Sequence, residues 1–167
     1  GFKFDRQEKI EDGETIADFF LPNSDAVRTN PNMVLNIECQ TTLKDRHRLT
    51  TGKSTDQHIQ RYLATGTGIG LFTPKDINDF TFEKLKELII INNIQVVVFA
   101  EVKTRLIQNI TDELNKRAAD PTRSGKVSTA ELQTLLSRSS GSLISYTELF
   151  NQRISPYMGV WQASGII

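Results

Sequence analysis

The chain has 167 residues, of which 38% are hydrophobic and 24% are charged. This length and composition are typical of one soluble, globular domain that buries a core without disulfide or metal staples. Lys and Arg together number 20, as do Asp and Glu, which excludes a generally basic, histone-like protein but allows a local basic face. With a single cysteine, Cys39, and two histidines, His47 and His58, the sequence also excludes a cysteine-based zinc cluster and a histidine-rich metal site.

The first half of the chain predicts strands separated by polar segments. Residues 2–4 and 15–21 (TIADFFL) are rich in β-forming residues, and Pro22 ends the second run. Residues 33–40 (MVLNIECQ) alternate apolar and polar side chains with the period of two that is typical of a strand. Between and after these strands we expect a loop over 5–14, a helix over 56–63 and a short strand over 69–72.

The second half of the chain predicts mostly helices. Residues 81–92 form an amphipathic pattern, and residues 94–99 are a continuous β-branched run of the kind found in buried parallel strands. Two serines, Ser128 and Ser145, each precede a glutamate by three residues, the spacing of a capping box at the start of a helix. The remaining expectations are a helix over 106–119, a loop over 120–125, a helix from Ser128 that breaks at 139–142, and a final short helix over 145–153.

This order of elements predicts an α/β fold with a central mixed sheet and helices packed on it. We expect residues 15–21 and 33–40 to form an antiparallel hairpin. The later strands are reached through helical crossovers, so we expect them to run parallel.

Acidic residues on the predicted hairpin form a candidate metal site. Asp18 lies in its first strand, and Glu38 and Gln40 lie two residues apart near the end of the second, on one face. Two carboxylates on adjacent strands suit Mg²⁺, which binds few protein carboxylates together with waters and phosphate oxygens. The alternative interpretation is that Asp18 and Glu38 are ordinary solvent-facing strand residues.

The segment after this strand resembles a motif of a known enzyme family. Residues 38–46 (ECQTTLKDR), preceded by Ala17-Asp18-Phe19, are similar to a stretch in type II restriction endonucleases of the PD-(D/E)XK superfamily. The subgroup it resembles cleaves CC/GG-containing sites of the CCNGG and CCWGG type. The resemblance covers roughly residues 1–105.

The resemblance implies a three-layer α/β/α restriction-endonuclease-like fold, a homodimer, and Mg²⁺-dependent cleavage of double-stranded DNA in the cytoplasm of a prokaryotic cell. It implies that Asp18 and Glu38 bind the metal and that Gln40 joins them in catalysis. It further implies that Lys44, Asp45 and Arg46 read neighbouring G·C pairs, because Lys or Arg donates to guanine and Asp accepts from cytosine. We expect His47 and Arg48 to contact phosphate or pack locally.

The sequence departs from the pattern of this family at two positions. Gln40 stands where the family has a lysine, and Lys53 stands where the subgroup often has a second acid, 13 residues later. Glu38 must then supply that carboxylate. The lysine difference leaves two functions open: a sequence-specific endonuclease that cleaves a short GC-containing palindromic site, or a DNA-binding module of nuclease fold that has lost catalysis through Gln40.

A second Glu-x-Lys segment follows the predicted strand over 94–99. Glu101-Val102-Lys103 matches the short motif literally, but we expect it to be a less suitable metal site because no acid lies on an adjacent hairpin strand. We expect a nuclease core over residues 1–105 and a helical C-terminal extension over 106–167 packed on the same domain. Because the chain begins at Gly1 rather than at a methionine, we also expect a further element upstream.

Overall fold

The sheet is the framework on which the described part of the chain is organised. The computed structural model describes residues 5–6, 19–22, 26, 33–40, 60–65 and 80–165, with side chains at all of these except 5–6, 19–20, 38–40, 60–61 and 63–65. Its strands are Asp5–Arg6 (β1), Phe19–Leu21 (β2), Leu35–Gln40 (β3), Gln60–Thr65 (β4), Gln95–Val98 (β5) and Leu143–Ser145 (β6).

The sheet is mixed, as predicted. Within the described residues its strands lie in the order β1-β2-β3-β4-β5-β6. β1 with β2 and β2 with β3 are antiparallel, whereas β3 with β4, β4 with β5 and β5 with β6 are parallel. These pairings confirm the antiparallel hairpin for its described residues and the parallel direction of the strand predicted over 94–99, which is β5. The strand predicted over 69–72 lies outside the described residues.

The described part of the chain forms helical elements before β5, between β5 and β6, and after β6. Thr81 caps α1 (Phe82–Leu85), which continues as the π-helix Lys86–Ile91 and ends at Asn92. The other helical elements are α2 (Ala100–Ala119), α3 (Thr129–Ser142), α4 (Tyr146–Glu148), the π-helix Leu149–Ile154 and α5 (Ser155–Ala163). Both predicted capping boxes are present, Ser128 with Glu131 and Ser145 with Glu148.

Five predictions about individual elements are wrong. The final helical stretch is not confined to 145–153 but runs from Tyr146 to Ala163 in consecutive helical elements. Residues from Gln60 onward form β4 and not a helix, because this segment hydrogen-bonds to β3 on one side and β5 on the other. Asp5–Arg6 pairs with β2 instead of forming a loop. Residues 139–142 do not break α3, and the next three residues form β6, a strand too short to show a periodic pattern. α2 begins at Ala100, six residues before the predicted start.

Two hydrophobic clusters cover opposite faces of the sheet. On one face, Val96, Val98 and Leu143 pack against α1 with the π-helix that continues it, against α2 and against α3. On the other face the apolar residues of β2 to β6 pack against residues 146–163, which we call the C-terminal helical segment; they are Leu21, Leu35, Ile37, Tyr62, Val97 and Ile144. The fold class is therefore α/β. The predicted division into residues 1–105 and 106–167 stays a prediction. In the structure, residue 105 lies within α2, and β6 belongs to the same sheet as β5.

An ion-pair network fixes the loop between α2 and α3. Glu113 accepts from Arg117 Nε and Arg123 Nη2, both at 3.0 Å, and Arg117 Nη1 donates to the carbonyl of Val127 at 2.8 Å. The Arg123 and Arg117 hydrogen bonds lower the pKa of Glu113 to about 2. A Cβ on Gly125 would lie 2.6 Å from Arg117 Nη2, so a larger residue there would displace this guanidinium from its place in the network.

No helix in the described part of the chain is long and apolar enough to cross a membrane.

Candidate active site

β3 carries the described residues of the predicted site. Its register with β2 pairs Phe19 with Ile37 and Phe20 with Asn36. Leu35 and Ile37 belong to the hydrophobic cluster under the C-terminal helical segment. Because successive strand positions alternate between faces, positions 36, 38 and 40, occupied by Asn, Glu and Gln, belong to the opposite face. One strand thus has an apolar face in the core and a row of polar residue types on the other.

The structure describes the predicted site residues unequally. Glu38 and Gln40 lie in β3, where their backbone is paired with Leu63 and Thr65 of β4. Asp18 is adjacent in sequence to Phe19 of β2 but lies outside the described residues. The predicted DNA-contacting residues also lie outside the described part of the chain; they are Lys44, Asp45, Arg46, His47 and Arg48. The same is true of Lys53, of the predicted strands 2–4 and 69–72, and of the glycine-rich residues 66–70.

Gln40 lies at the carboxyl edge of the parallel strands. β3 ends at Gln40 beside Thr65 of β4, and β5 and β6 end where Val98 pairs with Ser145. In open α/β sheets, ligands bind outside the carboxyl ends of the strands, where the connections to the next elements converge. Positions 38 and 40 of β3 therefore lie toward the edge at which this class of sheet binds ligands.

The second Glu-x-Lys segment lies at the same edge but is engaged in a structural contact. Glu101 is exposed in the first turn of α2, not on a strand. Lys103 Nζ donates to both carboxylate oxygens of Glu148, at 2.7 and 2.8 Å, and the Ser145 backbone N–H donates to Glu148 at 2.6 Å. The hydrogen bond from Lys103 is the main cause of a lowered pKa at Glu148. Lys103 thus ties α2 to α4 and is not free beside Glu101.

The C-terminal helical segment packs against the apolar face of β3, which carries Leu35 and Ile37. Trp161 is fully buried in the cluster that contains Leu35 and Ile37, and its indole N–H donates to the carbonyl of Met33 at 2.9 Å. Tyr62 of β4 is buried in the same cluster, and burial raises its pKa to about 12. The sequence did not predict this support, although Trp161 is the single tryptophan of the chain and therefore a strong candidate for the core.

Metal-binding side chains do not come together in the part of the chain whose side chains are described. Among residues with described side chains, no group of three or more His, Cys, Asp or Glu residues is arranged to hold an ion. The side chains of Asp18 and Glu38 lie outside that part of the chain. These two carboxylates stay the predicted ligands.

The fold is similar to that of one solved enzyme structure. No protein-family model matches the sequence, and no curated protein matches it. Among solved structures, the chain is similar to one described as the restriction endonuclease PspGI in complex with substrate DNA, with a TM-score of 0.61 and 14% sequence identity. The match covers 94% of this chain but 55% of the other, so the chain spans about half the length of that enzyme. This similarity shows that the chain has a restriction-endonuclease-like α/β fold.

Proposed function

We propose that the chain is a Mg²⁺-dependent, sequence-specific endonuclease of the type II restriction class that hydrolyses double-stranded DNA at a short, GC-containing palindromic site. The observation that carries this proposal is the fold, which is similar to that of a restriction endonuclease bound to DNA. The motif of residues 38–46 and the position of Glu38 and Gln40 on β3 support it independently. In this proposal the helices on the two faces of the sheet complete a three-layer α/β/α domain.

The register of the hairpin supports a shared metal site. β2 and β3 pair Phe19 with Ile37, so extending that register by one residue would pair Asp18 with Glu38. Directly opposed residues of antiparallel strands have Cα atoms about 4.5–5.5 Å apart. Carboxylates at two such positions are within reach of one cation, which is the arrangement that the proposal requires.

Each of the three site residues would have a separate role in phosphodiester hydrolysis. Asp18 and Glu38 would hold Mg²⁺ through carboxylate oxygens, the ligands that this ion prefers. When bound, Mg²⁺ supplies a Lewis acid that stabilises charge on a phosphodiester and favours ionisation of water. Gln40 would orient the attacking water or a phosphate oxygen through its amide group, which can donate and accept hydrogen bonds but adds no positive charge.

The basic segment beyond β3 would provide sequence recognition. Lys44 is the fourth residue after Gln40, so a phosphate held at the metal site brings residues 44–48 near the adjacent bases. Lys44 and Arg46 would donate to guanine O6 and N7, and Asp45 would accept from cytosine N4. His47 and Arg48 would contact phosphates. Because a palindromic site is read by a two-fold symmetric protein, the proposal includes a homodimer.

The proposal is tested by cleavage of a plasmid with and without Mg²⁺. Wild-type protein should cut at defined sites only when Mg²⁺ is present. Asp18→Asn and Glu38→Gln should each abolish cutting but retain specific duplex binding in Ca²⁺, because each removes one metal ligand and leaves the recognition segment intact. Cleavage that survives in either variant would move the active site elsewhere.

A second candidate function is a DNA-binding module without catalysis. Gln40 favours it, because a neutral amide replaces the lysine of the resembling enzymes and Lys103, the lysine of the other Glu-x-Lys segment, is held by Glu148. Specific duplex binding by a wild-type protein that never cuts would establish this function in place of the first.

A further inference from the structure

Two exposed phenylalanines flank one tyrosine at the carboxyl edge of the sheet. Phe99, which directly follows β5, is 40% exposed, and Phe150 is 56% exposed. Tyr146 directly follows β6, and its ring centroid lies 5.3 Å from that of Phe99. Phe150 follows Tyr146 by four residues, about one turn of an α- or π-helix, so both positions lie on one side of the helical segment. We call Phe99, Tyr146 and Phe150 the aromatic patch.

Hydrogen bonds at the start of α4 hold the aromatic patch in place. Ser145 Oγ accepts from the Glu148 backbone N–H at 3.1 Å, which fixes the backbone on both sides of Tyr146. Lys103 Nζ donates to both carboxylate oxygens of Glu148 and so ties this turn to α2, the helix that begins beside Phe99. An apolar surface that is already ordered loses little conformational entropy on association, which favours its use in binding.

The charge around the aromatic patch favours a protein partner over DNA. Surfaces that bind DNA neutralise phosphates with Lys and Arg, whereas the centre of a protein–protein interface is enriched in aromatic residues and depleted in charge. The exposed residues within two positions of a patch residue include no Lys or Arg; they are Ala100, Glu101, Thr147, Asn151 and Gln152. Lys103 lies beyond this range and is bound to Glu148.

The position of the aromatic patch favours a second copy of this chain as that partner. β6 is the last strand in the order of the described sheet and lies three strands from β3, roughly 14 Å at the usual strand spacing. The patch and the end of β3 share the carboxyl edge. In a two-fold dimer centred on the patch, the two proposed active sites would lie at the same end of the assembly, where one palindromic duplex can contact both.

We propose that the aromatic patch is the centre of a two-fold symmetric interface between two copies of this chain. The proposal deepens the proposed function, because it assigns a surface to the homodimer that a palindromic site requires. Since an aromatic side chain buries about 150–250 Å², the exposed parts of Phe99 and Phe150 offer roughly 200 Å² of apolar surface. A standard interface buries about 800 Å² per partner, and a few central aromatic residues supply most of its affinity. On a two-fold axis the patch packs against its own copy.

Sedimentation equilibrium of the chain, without DNA or metal, tests the interface. Phe150→Asp places like charges on opposite sides of the two-fold axis, so the dissociation constant of the dimer should rise roughly 30–1,000-fold. Phe150→Ser should weaken the dimer in the same direction and replaces the first variant if that one does not fold, as judged by circular dichroism. Ile91→Asp is the matched control, because Ile91 is 64% exposed and precedes β5 at the opposite edge of the sheet. It should dimerise like wild type.

The other outcomes overturn the inference. They are a wild type that stays monomeric at high micromolar concentration, a folded Phe150 variant that dimerises as tightly as wild type, and an equal loss in Ile91→Asp. A Phe150→Asp protein that dimerises normally but binds duplex DNA more weakly would assign the patch to DNA contact instead. Plasmid cleavage by wild type decides the endonuclease separately: a monomer that cuts at defined sites overturns only the interface, and a dimer that depends on Phe150 but never cuts overturns only the endonuclease.

Discussion

The contact between Lys103 and Glu148 allows a prediction that separates structural from catalytic roles at the carboxyl edge of the sheet. Lys103→Met keeps most of the aliphatic side chain and removes the ammonium group. The Lys103 and Glu148 side chains are 18% and 31% exposed. The stabilisation from this ion pair therefore lies between the values known for exposed and for fully buried pairs. Exposed ion pairs contribute about 0–1 kcal/mol, and loss of one partner from a fully buried pair destabilises by about 3–5 kcal/mol.

We expect Lys103→Met to lower the free energy of unfolding by about 1–2 kcal/mol. The value lies toward the lower limit because Glu148 keeps the hydrogen bond from Ser145 and enough exposure to be solvated. Glu148 has a pKa below its ordinary 4.5 in the folded protein, so the contribution of the pair is present above that pH and is lost as the pH falls through the folded pKa. The difference between wild type and variant should therefore narrow below about pH 4.5.

Urea unfolding at neutral and acidic pH measures this difference, and plasmid cleavage is measured on the same preparations. Lys116→Met, an exposed lysine on the same helix, is the control and should change stability by less than about 1 kcal/mol. Cleavage should be unchanged in both variants if the active site lies on β3. A folded Lys103→Met protein that no longer cuts DNA would refute this reasoning and assign the active site to the start of α2.

Further predictions concern the proposed site and the fold. If Gln40 is adapted to catalysis, Gln40→Lys should not raise the Mg²⁺-dependent cleavage rate, whereas a strong gain in single-turnover assays would indicate a decayed nuclease. Arg46→Ala should weaken binding to a cognate duplex by about 1–3 kcal/mol with a smaller loss on an A·T-substituted duplex; equal losses would make Arg46 a phosphate contact only. Asp45→Ala should relax the preference for cytosine in the same comparison. Glu113→Gln should destabilise the protein by about 3 kcal/mol at neutral pH, since it leaves the buried charge of Arg117 without its partner. That difference should shrink between pH 4.5 and about pH 2, the ordinary and folded pKa values of Glu113, and a constant difference would contradict it.

The candidate site was predictable from the sequence only in part. The alternation of residues 33–40 predicted the strand that carries Glu38 and Gln40, and the resemblance of residues 38–46 suggested their chemistry. Asp18 and the basic residues 44–48 stay predictions. No local pattern distinguishes Asn36 from an exposed strand residue, because its burial depends on what packs over that face of the sheet.

The sequence by itself determined the features that depend on contacts within a few residues. Ser128 and Ser145 cap their helices through glutamates three residues away, and the β-branched run at 95–98 specifies a buried strand. Tertiary structure alone decided the identity of β4 and β6, which gain their hydrogen bonds from strands distant in sequence. It also decided the pairing of Lys103 with Glu148 across 45 residues, since charge attraction acts through space and leaves no periodic signal along the chain.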